Sequence, residues 1–336
     1  MESLLEMLCG TGGISGNESS VASIVKDIVR DQADIVEADS MGNVIFTKKG
    51  NGPGPTVLIC AHMDEIGAMV RYVDEKGYVY FDTVGGHNAA QLLGSTVTVG
   101  YCTPGIIESK KKGSKDAIEL KDLYIDIGAS AREDASACGI LPGSPISRSP
   151  SYHKLLGSRR ASKAFDNRAG LYCMLMAFEA VESFCGTLVC AATSQEEVGT
   201  RGAAVVGDTI KADLAIAVDV TFAVDTPMSS EEREYNTKLG CGPALTLKDD
   251  GHLLREDVRA FVESVGSARS IPLQYDISKG KTDAAPLYTS GPATRTASIL
   301  LPLRYMHTGH EVIDLKDAEK LIMLLKAIVE DFGRHE

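Results

Sequence analysis

Short apolar runs recur along the chain, and several of them end in a histidine or a carboxylate. Thr56–Ala61, Leu188–Ala192, Leu214–Val218 and Ala297–Leu301 have strand length and few polar positions, the pattern of strands covered on both faces. Between them lie helical patterns. Val21, Ile24, Val25 and Ile28 repeat at about 3.6 residues within a largely helical first thirty residues, after a turn cluster at Gly12–Glu18. Arg168–Phe184, a segment after Gly199, Leu254–Ser267 and the strongly amphipathic Leu315–Phe332 also read as helices, with strand-like stretches at Ile35–Glu37, Asn43–Thr47 and Leu273–Ile277. Strands alternating with helices predict a parallel α/β sheet. From about residue 70 to 155 the rhythm changes. Gly77–Phe81, Thr96–Tyr101, Gly105–Glu108 and Asp122–Ile127 are short β-like runs separated by Gly and Pro, with one helix expected near Ala131–Cys138 and a solvated basic tip at Lys110–Lys115. The expected architecture is a discontinuous α/β domain, residues 1–69 and 156–336, carrying an inserted β-rich barrel at 70–155.

Composition narrows the partners. With 336 residues, 44% hydrophobic and 24% charged, the chain has material for a large core. A net charge of -12 argues against nucleic acid as a partner. No stretch approaches the roughly 18 apolar residues a membrane helix needs. The acidic start Met1–Cys9 does not read as a signal peptide. The eight cysteines are scattered, without a Cys-x-x-Cys, and Cys60, Cys173 and Cys190 sit inside apolar runs. They read as reduced core thiols, so a cytoplasmic protein is expected.

The polar ends of the apolar runs carry the candidate chemistry. His62 follows Thr56–Ala61, with Asp64 two residues on and placed to accept from its ring. Asp166 opens the helix that begins near Arg168, where an Asp serves equally well as a cap. Glu196 and Glu197 follow Leu188–Ala192, and alternation along an extended chain would aim them at different surroundings. Asp219 ends Leu214–Val218, and His307 follows Leu300–Met306. Each alone reads as an ordinary turn residue or surface histidine. Together they offer two imidazoles and four carboxylates, Asp64 aside. That set suits Zn²⁺, Co²⁺ or Mn²⁺ and exceeds what one open catalytic ion needs. A two-metal site uses the surplus, with a remaining carboxylate as general base.

The ordered motifs Ala61-His-Met-Asp-Glu-Ile-Gly67, Ala164-Phe-Asp-Asn-Arg168, Ser194-Gln-Glu-Glu-Val-Gly199, Val218-Asp219 and Arg304-Tyr-Met-His307 resemble the glutamyl aminopeptidase/cellulase-M family, the tetrahedral (TET) aminopeptidases. The likeness runs through the inserted segment at Val84-Gly-Gly86, Leu92–Val97 and Asp122–Gly128. It implies a phosphorylase/hydrolase-like α/β/α catalytic domain with an inserted β-rich dimerisation domain. By position it implies one ion on His62 and Asp219, a second on Glu197 and His307, Asp166 bridging, Glu196 as general base and Asp64 orienting His62. It further implies two divalent ions per subunit, Zn²⁺ or Co²⁺ with Mn²⁺ as an alternative. The implied activity is removal of N-terminal residues from short peptides, and the implied assembly is a hollow dodecamer of dimers. One departure is visible. Where the family often has Gly-Gly-Thr-Asp-Ala, this chain has Gly280-Lys-Thr-Asp-Ala284, so Lys281 either reshapes the substrate pocket or points to solvent, and Asp283 is expected near bound substrate. Two other classes stay open: a glycoside hydrolase using two carboxylates without metal, and a non-catalytic peptide-binding assembly protein on the same fold.

Overall fold

The computed structural model describes residues 2–111, 118–227, 237–290 and 294–333. The chain begins with α1 (Glu2–Gly10), α2 (Ser19–Val29), β1 (Ile35–Ala38), β2 (Val44–Lys49) and β3 (Thr56–His62). A β-rich stretch follows: β4 (Gly67–Val73), β5 (Val79–Val84), α3 (Ala89–Leu92), β6 (Thr96–Val99), β7 (Thr103–Ser109), β8 (Leu123–Asp126), α4 (Arg132–Ala137) and β9 (Pro145–Arg148). The α/β pattern resumes through β10 (Tyr152–Lys154), β11 (Arg159–Ser162), α5 (Phe165–Ala180), β12 (Thr187–Thr193), α6 (Arg201–Thr209), β13 (Leu214–Phe222) and β14 (Ala244–Lys248). It ends with α7 (Glu256–Ala268), β15 (Gln274–Ile277), α8 (Ala284–Thr289), β16 (Arg295–Leu303), β17 (Glu311–Asp314) and α9 (Leu315–Phe332).

An eight-stranded sheet, ordered β1-β2-β12-β3-β13-β16-β14-β15, is the frame of the molecule. Its centre, β12, β3, β13 and β16, is parallel. Residues on these strands alternate between two apolar layers. Val57, Ile59 and Ala61 pack with α5, α9 and α1, whereas Leu58 and Cys60 pack with Val206 of α6 and Leu287 of α8. Both faces are covered, which is why the runs read as continuously apolar. Strands β4-β5-β8-β7-β6-β9 close a separate barrel with its own core around Val70, Val97, Ile125 and Ile146. The expected mixed α/β class with an inserted β-barrel is the observed one.

Some elements lie where the periodicity gave no sign. The first thirty residues form two helices, because Thr11–Glu18 turns between them. β10, β11 and β17 make a small extra sheet. α3 adds a single turn to the barrel beside the expected α4. The basic tip runs out of the described residues at Lys112–Lys115. At the junction of the two units Gly67 is required, since a Cβ there would sit 2.2 Å from Ile14 Cγ2 and 2.6 Å from the Ile146 carbonyl oxygen. All eight cysteines are free thiols. Among the described residues no helix is long and apolar enough to cross a membrane.

Candidate metal centre

The carboxyl ends of β3 and β13 start the site. These strands are parallel neighbours with Cys60 level with Ala217, so His62 and Asp219, each two residues further on, emerge side by side on one face. His62 Nε2 lies 3.6 Å from Asp219 Oδ1. On the other flank Thr193 of β12 is level with His62, and the chain beyond it carries the glutamate pair. That pair is not in a strand. Gln195 takes φ 55°, and the Glu196 carbonyl then accepts from the N–H groups of Gly199 (2.9 Å) and Thr200 (2.8 Å). A turn, rather than strand alternation, therefore separates the two side chains. Glu196 Oε2 comes to 3.9 Å from His62 Nε2, and Glu197 Oε1 to 3.4 Å from His307 Nε2.

Asp166 sits between the two histidines. It belongs to the first turn of α5 but has non-helical angles (φ -77°, ψ 107°), the Asp166–Asn167 peptide is cis, and no side chain caps this helix. The carboxylate points into the site, with Oδ1 3.4 Å from His62 Nε2 and Oδ2 3.2 Å from His307 Nε2. Asn167 fixes the turn by donating to the Val218 carbonyl at 2.8 Å, one residue before Asp219. His307 follows β16 with φ 63°. Two groups result, His62–Asp166–Asp219 and Asp166–Glu197–His307, each with its ligand atoms within 4.8 Å of one another and Asp166 common to both.

The electrostatics suit a bound cation. Burial pushes the Glu196 carboxyl well above its ordinary value, with Asp219, Asp283 and Glu197 adding to the rise against the attraction of His62. Burial and Asp166 raise Glu197, and burial raises Asp219. The carboxylates in turn drive the imidazoles toward protonation. His307 reaches about 11 because Asp166 and Glu197 outweigh its burial. Glu197 Oε1 is buried and accepts no hydrogen bond. Crowded acids, two ring nitrogens facing them and an orphaned carboxylate oxygen make a donor set that a divalent ion satisfies.

Asp64 organises the first half of this centre. It is fully buried. It accepts from the Ser15 hydroxyl (2.6 Å) and from the backbone N–H groups of Glu196 (3.0 Å) and Glu197 (3.1 Å), with His62 Nδ1 3.4 Å away. Burial works against its ionisation, but His62, followed by the Ser15 and Glu196 donors, holds its carboxyl below the usual range. Asp283 does not line the cavity. It is buried behind it, accepting from the Thr193 hydroxyl, and burial lifts its carboxyl to about 7. The cavity holds about 220 Å³. It runs from the histidines past Thr246 and Asp249, with the exposed Lys281 on its wall. Sequence reasoning missed Ser15, Glu18, Glu65 and Glu311. Glu18 accepts from the Gln195 N–H at 3.1 Å. Glu65 meets the buried Lys163 at 2.8 Å on both oxygens. Glu311 accepts from the N–H groups of Asp166 and His307. Each has a partner far along the chain (Asp64, Gln195, Lys163 and Asp166 in turn), and those pairings leave no mark in local spacing.

Comparison with known proteins gives the chain its relatives. A family model described as M42 glutamyl aminopeptidase matches residues 42–324. A lysyl aminopeptidase of Pyrococcus furiosus is 32% identical over 343 aligned positions, covering 98% of this chain and 96% of the relative. A glutamyl aminopeptidase of Lactococcus lactis is 27% identical, covering 94% and 92%. An aminopeptidase structure from the archaeon Desulfurococcus kamchatkensis superposes with a TM-score of 0.95 at 33% identity, covering 99% of this chain and 95% of that one. The Pyrococcus horikoshii TET1 peptidase, described as able to assemble into a tetrahedron or a large octahedral shell, gives a TM-score of 0.86 at 28% identity, covering 97% and 98%.

Proposed function

The chain belongs to the M42 glutamyl aminopeptidase family, and from that premise we propose that it removes N-terminal residues from short peptides at a centre of two divalent ions. One observation carries the two-ion reading: Asp166 turns one carboxylate oxygen to each of two imidazoles, each of which has a further carboxylate of its own. His62 and Asp219 would hold one ion, Glu197 and His307 the other, and Asp166 both. Zn²⁺ or Co²⁺ suits the mixed nitrogen and oxygen donors, with Mn²⁺ next. Bound there, such a pair supplies Lewis-acid polarisation of the scissile carbonyl and acidifies the attacking water.

The chain's own residues do the rest. Glu196 is left off both ligand groups yet lies beside them, so its Oε2 takes the proton of the attacking water and passes it to the leaving amine. Asp64 fixes both glutamates through their N–H groups. A cavity of about 220 Å³ takes the end of a peptide rather than a folded chain. We further infer a homo-oligomer in which the barrel joins subunits as dimers, built up to a dodecamer. The P. horikoshii relative, described as a tetrahedron or an octahedral shell, supports a closed homo-oligomer.

A panel of aminoacyl chromogenic substrates tests the reading, run with Co²⁺, Zn²⁺ and Mn²⁺ and again after chelation. Turnover should need metal and return when metal is restored. Glu196→Gln should keep metal and lose about 10²–10⁴-fold in kcat. Turnover that survives complete chelation would contradict the two-ion reading.

A further inference from the structure

Both halves of the centre depend on backbone that has no regular support. Asp166 leaves helical geometry within α5, and His307 takes a left-handed conformation beyond β16. Their N–H groups are satisfied by one side chain. Glu311, at the start of β17, is 2% exposed. Its Oε2 accepts from the Asp166 N–H at 3.0 Å and its Oε1 from the His307 N–H at 2.8 Å. Among the described residues it forms no ion pair; its direct partners are the two backbone N–H groups, with Arg148 and His307 acting on it from further off. An apolar side chain at a strand start would be less costly to bury. What the carboxylate does that an apolar group cannot is join two ligand residues from different elements. Asp64 does the same for the other flank, gripping the N–H groups of Glu196 and Glu197. The loop leading to Glu311 has further support: Arg148 Nη2 from β9 of the barrel donates to the His307 carbonyl at 3.3 Å, and the Ser151 hydroxyl donates to the Gly309 carbonyl at 3.0 Å.

We propose that Glu311 is a positioning residue that sets the spacing between the Asp166 carboxylate and the His307 imidazole, and so the affinity of the half-site they form with Glu197. This rests on the reading of the centre as a two-ion site. Glu311 touches no reacting atom; it acts through the two main-chain groups it holds. Neutralising it to an amide removes one acceptor, because the amide nitrogen faces an N–H. One ligand residue then loses its anchor.

Cobalt titration of the metal-stripped protein, followed by visible absorption and calorimetry, tests this directly. The wild type should take up two equivalents. Glu311→Gln should weaken one of them by about 10–100-fold, the usual effect of removing a residue that orients a metal ligand, and its titration should resemble that of His307→Ala. Glu311→Asp, which keeps both acceptors one methylene shorter, should recover part of the loss and guards against a variant that fails to fold. Asp317→Asn is the matched control. Asp317 is also fully buried and grips two backbone N–H groups, those of Gly240 (2.6 Å) and Gly242 (2.7 Å), but contributes to neither ligand group. It should lower thermal stability and leave both equivalents unchanged. If folded Glu311→Gln and Glu311→Asp both bind two equivalents like the wild type, the proposal is overturned while the two-ion reading stands. If the wild type takes up no second equivalent, the two-ion reading itself fails.

Discussion

Replacing Asp64 by Asn changes one atom of a side chain that holds much of the centre in place, and the outcome can be worked from its partners. The carboxylate accepts from Ser15 and Glu197 on one oxygen and from Glu196 on the other. Whichever way the amide is turned, its nitrogen faces a backbone N–H, that of Glu196 or that of Glu197. A buried donor left without an acceptor costs about 1–3 kcal/mol. The bonds that survive lose their charge assistance, falling from about 1.5–3 to about 0.5–1.5 kcal/mol each. The sum is a destabilisation of about 3–5 kcal/mol. The effect on metal should be smaller. His62 Nδ1 lies 3.1 Å from the Asp64 carbonyl oxygen and 3.4 Å from its carboxylate, so the main chain still fixes the ring tautomer after the substitution. Asp64→Asn should therefore separate two readouts. Under conditions where it is folded, kcat at saturating metal should fall about 100-fold because Glu196, the proposed base, is displaced, while affinity for an ion proposed on His62 falls less than about tenfold. Urea unfolding, metal titration and steady-state kinetics on one preparation give all three numbers. A variant that binds metal far more weakly yet turns over normally once saturated would refute this division of labour.

Gly202 lies in the first turn of α6, where a Cβ would meet Asn43 Oδ1 at 2.3 Å and the Ser194 backbone oxygen and nitrogen at 2.4 and 2.6 Å. Gly202→Ala must push the segment that leads into Glu196, so it should lose several kcal/mol (about 2–5) on a urea curve and lower kcat in whatever remains folded; a midpoint equal to wild type would contradict the close packing. Arg168 is fully buried and donates to the carbonyls of Leu8 (2.6 Å), Thr11 (3.0 Å) and Gly13 (3.2 Å), with Nη2 3.7 Å from Glu65. Arg168→Met should destabilise by about 3–5 kcal/mol because it strands those carbonyls and part of the Glu65 charge; native-state proteolysis should show the first cut near residues 8–16, and a cut elsewhere would argue against a local role.

The parallel sheet and the barrel were legible because each has a one-dimensional signature. Strands covered on both faces leave unbroken apolar runs such as Leu188–Ala192, and a small barrel leaves short runs punctuated by Gly and Pro. The meeting of the residues proposed as ligands was legible for a related reason: parallel strands deliver their last residues to one edge, so His62 and Asp219 converge without any long-range rule. Other features were hidden. Nothing in the sequence marks Gln195 for a left-handed backbone, so the glutamate pair looked like the end of a strand. Glu311 looked like one more acid, because what it holds is peptide N–H, which every sequence has everywhere. Lys163, Glu65 and Arg168 form a buried charged group that composition would place on the surface, since paired burial depends on partners far along the chain.

The same geometry weighs against the glycosidase alternative on positive grounds. Cleavage of a sugar bond needs two carboxyl groups facing each other across a gap that admits the glycosidic oxygen. Here the carboxylates do not face each other across free space. Asp166, Glu196 and Asp219 each lie within 3.9 Å of His62 Nε2, and Asp166 and Glu197 within 3.4 Å of His307 Nε2. Two ring nitrogens thus occupy the middle of the acid cluster, where a sugar would have to enter. A passive peptide-binding site fares no better. It would have no use for a fully buried aspartate that fixes the N–H groups of both glutamates, nor for a glutamate held beside the ligand groups but outside them. That arrangement has a physical purpose when a proton must move from water to a leaving amine, and peptide hydrolysis requires such a transfer.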